Sequence, residues 1–507
     1  MKPKIKIFDT TLRDGEQTSN VSFSPDEKLI IAENLLSVLK FDRVEIGSCR
    51  VSEKELQAIK KISEWAEKNG FIDQVEVLSF TDYTKSIDWL LQTECRKINL
   101  LTKGSLKHCE MQLKKTPQEH WDDVEQTLEY AELKGMKYSI YLEDWSRGIQ
   151  ESPDYVWLMI ERLSKLNPQS LILCDTMGIL NPWKTQELVN DVVDKFPNQN
   201  FDFHCHNDYG FAVANSIYAV KSGIDCVHGS INGLGERAGN TNLIEFCVAL
   251  KDHLGFNGFA EENFALISGI IERFSGKKIS HNMPIVGRDV FTQTAGIHAD
   301  GDNKGDLYKS NLKPERFNRN IEYSLGKMSG RGNLEMNLRN LGIILTAEQK
   351  QIVLAKIVEM ADAKKVITKD DLPFIIADIT GQDTEQKIFE VVDFVITSTS
   401  GLSPTANIKI KYQDQEYSQS VSGNGGYDAF MQALSKIAKK ADFMIPKLID
   451  FEVSIPRGGS TNALVETVIS WQDGITTSGT MPDQITSCIR ATEKAINIFE
   501  KKKAYVL

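Results

Sequence analysis

Residues 4–47 read KIKIFDTTLRDGEQTSNVSFSPDEKLIIAENLLSVLKFDRVEIG, and this stretch decides the fold. A short β-rich run, KIKIFDT, ends in polar residues. An amphipathic helical pattern, PDEKLIIAENLLSVLK, follows, and a second β-rich run, RVEIG, closes the unit. The alternation continues through the first half of the chain. Strand-like runs recur as VEVLSF, KINLLT, KYSIYLED, LILCDT, FDFHCHN and CVHGSIN, with helical patterns such as TPQEHWDDVEQTLEYAELK between them. Eight such repeats in about 250 residues predict a closed (β/α)8 TIM barrel. A doubly wound open sheet is the alternative, but no G-x-G-x-x-G follows the first strand, which disfavours its dinucleotide-binding form.

The chain has 507 residues, enough for two to four domains, and is 41% hydrophobic and 25% charged. A net charge of −11 without a basic run argues against nucleic-acid binding. No stretch has the apolar length of a membrane span, and MKPKIKIFDTT contains no apolar signal core, so the expected compartment is the cytoplasm. The cysteines at 49, 95, 109, 174, 205, 226, 247 and 488 form no C-x-x-C and read as buried, reduced thiols.

Beyond Ser275 the pattern changes. The barrel is expected over residues 1–275 and an irregular linker over 276–345, containing GKKISHNMPIVGRDVFTQTAGIHADGDNKG. A small helical unit is expected over 346–384, and a separate α+β module over 385–507. The last module reads as a βββα unit written twice, with helices beginning near Tyr427 and Pro482. Asp428 and Asp483 would lie in the first turns, where the helix dipole favours acids, and Pro482 suits a first helical position.

A (β/α)8 barrel carries its active site at the C-terminal ends of its strands. Polar residues gather there: Asp9, Arg13 and Asp14 after the first strand, Glu143 and Asp144 after the fifth, and Asp175 and Thr176 after the sixth. His204 and His206 end the seventh, and Asn232, Glu236, Arg237 and Asn240 follow the eighth. His204 and His206 are two apart on a strand, so both imidazoles point to one face and Cys205 to the other. Two imidazoles with a carboxylate, for which Asp14 is the best candidate, make a divalent-metal site with open positions. Arg13 beside it suits stabilisation of an alkoxide on a chelated 2-oxo acid, although Arg–Asp pairs are also common structural features. Glu143 could relay a proton. The glycine-rich run from Gly233 to Thr241 could anchor a ligand, whereas GNGG at 423–426 reads as a tight turn.

TLRDGEQ (Thr11–Gln17), FHCHNDYG (Phe203–Gly210), NGLGERAGNT (Asn232–Thr241) and TQTAGIHADG (Thr292–Gly301) together resemble the signatures of the isopropylmalate, homocitrate and citramalate synthases. The resemblance covers nearly the whole chain, and the C-terminal module is similar to the allosteric domain of that family. It implies Asp14, His204, His206 and Asn240 as metal ligands, with Zn, Mn and Mg all open. It implies Arg13 at the keto oxygen, Glu143 as an active-site acid, Thr176 as a substrate-binding hydroxyl, and His298 as a linker histidine delivered to the partner's barrel in a homodimer. The implied reaction is a Claisen condensation of acetyl-CoA with a 2-oxo acid, the methyl proton going to Glu143 or through water to His298.

Within the family, SFTDYTKSIDWL, INLLTKGSL and YLEDWSRG most resemble bacterial citramalate synthases, which use pyruvate and serve isoleucine biosynthesis. Leu78, Leu101 and Tyr141 then match positions lining the side-chain pocket of the oxo acid, with 2-isopropylmalate synthase and leucine as the alternative. Tyr427, Asp428, Leu448, Phe451, Ile455, Val465, Pro482 and Gln484 match the amino-acid effector site, Phe451 standing where tyrosine is usual. A metal-dependent lyase and a non-catalytic amino-acid sensor are the other classes. The βββα repeat counts against the first, and the intact polar set against the second.

Overall fold

The structure is a computed structural model that describes residues 5–293, 305, 307, 310–326, 329–340, 343–362, 367, 372–380, 388–398, 400–455, 465–472 and 475–504. The chain divides into two compact units, one running to Phe291 and including Ser310–Asn320, the other comprising Thr292–Lys309 and Ile321–Leu507.

The first unit is a closed parallel barrel of β1 (Lys6–Asp9), β2 (Arg43–Ser48), β3 (Val75–Phe80), β4 (Lys97–Lys103), β5 (Lys137–Glu143), β6 (Leu171–Asp175), β7 (Phe201–Cys205) and β8 (Cys226–Gly229). All eight β-rich runs form strands, and β8 closes on β1 with Ile7 opposite Val227. The outer helices start where the sequence places caps. Ser24 and Thr116 each form a reciprocal capping box, with Glu27 and Glu119, and Pro25 and Pro117 follow at the first helical position. The helix Glu53–Asn69 buries Leu56, Ile59, Ile62 and Ala66, one face of a 3.6-residue period, and ends on the left-handed Gly70.

Strand alternation sends Val75 and Val77 outward into the main apolar core and Glu76 inward. One layer of the barrel interior is consequently polar and paired. Arg43 grips Glu76 with Nε and Nη2 (2.7 and 2.8 Å) and donates to Asp202 at 2.6 Å. Buried charges persist only when matched in this way. From Asp202 the chain of contacts passes to His228 Nε2 (3.1 Å), from His228 Nδ1 to the Tyr141 hydroxyl (3.2 Å), and on to Glu45 (3.1 Å). Tyr141 and Glu45 are thereby held rigidly beneath the barrel's C-terminal end.

The second unit contains a short parallel pair, β9 (Thr292–Gln293) and β10 (Glu322–Tyr323), and helices Arg331–Asn340, Ala347–Asp362 and Leu372–Thr380. Leu334, Leu338, Val353, Ile357 and Leu372 form a core among them. Two antiparallel sheets follow. β11 (Phe389–Thr397), β12 (Thr405–Tyr412) and β13 (Gln415–Ser422) lead into helix Gly426–Ala441. β14 (Leu448–Ser454), β15 (Val465–Trp471) and β16 (Thr476–Met481) lead into helix Gln484–Ala504. This is the doubled βββα pattern. One detail differs from expectation. Pro482 and Asp483 precede the last helix instead of opening it, because the Asp483 carboxylate accepts the Thr486 N–H at 2.7 Å and acts as the cap. No helix among the described residues is long and apolar enough to cross a membrane.

Candidate metal centre and active site

The site begins with a tight turn after β1. The backbone N–H groups of Arg13, Asp14 and Gly15 all donate to the Thr10 carbonyl (3.1, 2.8 and 3.0 Å), and the Thr10 hydroxyl donates to Gly229 O at 3.0 Å. The Asp9 carboxylate accepts the Thr11 N–H and hydroxyl at 2.8 and 3.0 Å. With no cation among these contacts, burial pushes the Asp9 carboxyl up to about 7, against the lowering effect of the Thr11 bonds.

Asp14 Oδ2 lies 3.0 Å from His204 Nε2 and 3.9 Å from His206 Nε2. His206 bridges to Asn240, which the glycine-rich loop after β8 brings back across the barrel end. Two glycines make that return possible. Gly239 has φ +87° and would place a Cβ 1.9 Å from Gly233 O, and a Cβ on Gly235 would lie 2.6 Å from the Asn240 amide. Asp14, His204, His206 and Asn240 are 2, 4, 6 and 1% exposed. Asp14 Oδ2 and Asn240 Oδ1 are nonetheless buried without a hydrogen-bond partner. Two orphaned oxygens beside two imidazoles fit a divalent cation of intermediate hardness. Burial disfavours the Asp14 anion, but Arg13 and the two histidines outweigh this and hold its carboxyl well below the usual range. Burial lowers His206 to about 4 against the pull of Asp14, leaving the neutral imidazole a ligand requires. A second cluster, Asp202, Cys226 and His228, is also compact, but its carboxylate is engaged by Arg43 and His228.

Arg13 is the hub of the site. Nε donates to Glu45 at 2.5 Å, Nη2 to the Tyr141 hydroxyl at 3.0 Å, and Nη1 lies 3.4 Å from Asp14. Glu45 also accepts from Asn99 at 2.9 Å. Sequence reading passed over Glu45. Its one signal is a second charge two positions from Arg43, on the same inward face of β2.

Leu78, Leu101 and Tyr141, from three successive strands, meet in one apolar island that also includes Phe80, Ile172 and Cys174 and is separate from the main core. The last three residues were missed, although each sits two positions from an inward residue. Glu143 is paired with Lys103, with His108 Nδ1 at 3.8 Å. Thr176 accepts the Asp144 N–H at 2.8 Å, which leaves its own hydrogen free to donate. Asp175 and Asn232 prove structural: Asp175 accepts from Ser146, Ile179 and Leu180, and Asn232 exchanges bonds with Ser268. Arg237 ties Asp208 to the Thr176 carbonyl, and Glu236 points to solvent. A cavity of about 760 Å³ opens beside Arg13, lined by Glu16, Gln17, Ser48 and Lys54 among others. His298 lies outside the described residues.

In the second unit, the Tyr427 ring lies tilted near Phe451 (6.2 Å between ring centroids, 41° between planes), packs with Leu448 against the core of Ile469 and Trp471, and shares a hydrogen bond with Thr492 at 2.7 Å. Asp428 accepts from Asn424 and Gln432. Val465 is buried at the far end of the β14–β15 pair from Leu448, whereas Ile455, Pro482 and Gln484 are exposed. The eight expected effector residues thus comprise one packed group, Tyr427–Leu448–Phe451, and several separate positions.

Residues 4–266 match the HMGL-like family, 285–365 the homocitrate synthase post-HMGL domain-like family, and 366–500 the LeuA allosteric (dimerisation) domain. The chain is 34% identical to an (R)-citramalate synthase of Methanocaldococcus jannaschii, over 93% of this chain and 94% of that protein. It is 32% identical to a putative (R)-citramalate synthase of Archaeoglobus fulgidus, over 98% and 99% respectively. A probable 2-isopropylmalate synthase of Methanopyrus kandleri is 29% identical over 99% of this chain and the whole of that protein. The chain belongs to the HMGL-like family and, within it, to the citramalate and 2-isopropylmalate synthases, an acyltransferase class.

Proposed function

We propose that this protein condenses acetyl-CoA with pyruvate to give (R)-citramalate and CoA. The observation that carries the reading is the apolar island of Leu78, Leu101 and Tyr141, joined through the Tyr141 hydroxyl to Arg13, whose guanidinium also faces Asp14 of the Asp14–His204–His206 cluster. A divalent cation held by those four residues, Mn, Mg or Zn, would supply Lewis acidity to the keto oxygen. Arg13 directs its guanidinium at the negative charge that develops there, and Thr176 donates to the substrate carboxylate. Glu143, or His298 through water, takes a methyl proton from acetyl-CoA. The resulting enolate carbon bonds to the keto carbon, the keto oxygen gains a proton, and water cleaves the thioester to release CoA. The cavity beside Arg13 offers room for the CoA arm.

We assign catalysis to residues 1–275, delivery of His298 into the partner barrel of a homodimer to the linker 276–345, a helical connection to 346–384, and feedback by isoleucine to 385–507. Tyr427, Asp428, Leu448, Phe451, Ile455, Val465, Pro482 and Gln484 would serve that effector. Eight buried, unpaired thiols suit the reducing cytoplasm. The 2-isopropylmalate synthase of Methanopyrus kandleri keeps 2-oxoisovalerate, with leucine as effector, as the second reading. Pocket discrimination by one or two methylenes is worth roughly 10- to 200-fold. The deciding experiment is thiol release from acetyl-CoA, with Mn or Mg, across pyruvate, 2-oxobutyrate, 2-oxoisovalerate, glyoxylate and 2-oxoglutarate. Preference for pyruvate with inhibition by isoleucine supports the proposal, and preference for 2-oxoisovalerate replaces it with the second reading.

A further inference from the structure

We infer that Lys103 is a positioning residue that holds the Glu143 carboxylate in a single orientation; this rests on the proton-transfer role proposed for Glu143. β4 and β5 run in register so that Lys103 stands directly opposite Glu143. The Lys103 side chain is 8% exposed, and its Nζ contacts Glu143 Oε2. A lysine so withdrawn from water needs a counter-charge, and Glu143 is the partner it has.

The backbone of Lys103 is clamped on both sides. Its N–H donates to His120 Nε2 at 3.1 Å, and its carbonyl accepts the Tyr155 hydroxyl at 2.8 Å. His120 is fully buried, and burial lowers it to about 4, so its ring is a neutral acceptor at physiological pH. The next residue locks the two strand ends together. Gly104 donates its N–H to Glu143 O at 2.6 Å, and a Cβ there would lie 2.7 Å from Leu142 C and O. Gly104 O in turn would be 2.1 Å from any Cβ on Gly148. The Lys103 and Glu143 backbones are therefore fixed relative to one another, and the ion pair sets the side chains. The Lys103 ammonium occupies Oε2, while among the described residues the charged group nearest Oε1 is His108, whose Nδ1 lies 3.8 Å away, beyond hydrogen-bond reach. One oxygen is anchored and the other is left to take a proton, the arrangement a positioned base requires.

The test is a double-mutant cycle on the full-length protein, measuring CoA release with pyruvate and Mn for wild type, K103M, E143Q, the double variant and K103R. If Lys103 acts through Glu143, K103M lowers kcat by roughly 10²-fold with KM for pyruvate little changed. The double variant is then no slower than E143Q within about threefold, and K103R recovers at least part of the loss. Should K103M melt well below wild type, K103Q, which keeps a donor without the charge, takes its place in the cycle. An active wild type with an indifferent Lys103 variant overturns the inference alone. Multiplicative losses in the double variant overturn it as well, by showing that Lys103 meets the substrate independently. A wild type inactive on every oxo acid overturns the functional reading and this inference together.

Discussion

Arg13 joins three groups that no other residue type could join at once: the Glu45 carboxylate, the Tyr141 hydroxyl and the Asp14 carboxylate. Lysine carries the charge but not the planar fork. Arg13→Lys is expected to lower kcat by roughly 10²-fold or more, as loss of a charge-stabilising donor does. It should also destabilise the fold by about 3 kcal/mol or more, because Glu45 is then left buried with an incomplete partner set; steady-state kinetics and urea unfolding read the two effects. His204→Ala removes one of two converging imidazoles, and should abolish both CoA release and saturable Mn binding by titration calorimetry. Tight Mn binding by this variant would sink the metal assignment. Asp9 supplies a pH signature. Its folded value near 7 lies above the usual carboxylate value. Its contribution to stability is therefore fullest below pH 4 and is lost as pH rises through 7. Asp9→Asn should flatten this slope, so that its stability relative to wild type changes by up to about 4 kcal/mol between pH 4 and 8. A constant difference across that window would refute the assignment.

At the scale of elements, the loop from Gly233 to Asn240 is a device for placing one amide. The close approach of Gly239 to Gly233 O tolerates no side chain. Gly239→Ala should weaken Mn binding at least about tenfold by displacing Asn240, in the way that altered supporting groups affect metal sites, while the far-UV circular dichroism of the barrel persists. Unchanged Mn affinity would mean that Asn240 is not a ligand. The strands were legible in sequence because alternating β-rich runs depend on local chemistry, and the caps the structure shows at Ser24, Thr116 and Gly70 are equally local. Asp483 was misplaced by one step, since a cap and a first-turn acid differ only in backbone conformation, which composition does not reveal.

For the whole molecule, the larger apolar cores of the described residues are separate: one beneath the barrel's helices, in the same unit as the small island of Leu78 and Tyr141, the others within the second unit. Separate cores melt as separate cooperative units. Calorimetry should show at least two transitions, with isoleucine raising only that of the 385–507 module; leucine acting in its place would favour the second functional reading. The barrel, the doubled βββα module and the HCH strand were determined by the sequence itself, because periodicity and the side-chain alternation of a strand are properties of the chain alone. Tertiary structure decided the rest. Glu45, Lys103, Phe80, Ile172 and Cys174 acquire their roles only where the barrel closes, because a buried charge or an apolar wall is defined by neighbours that lie on other strands.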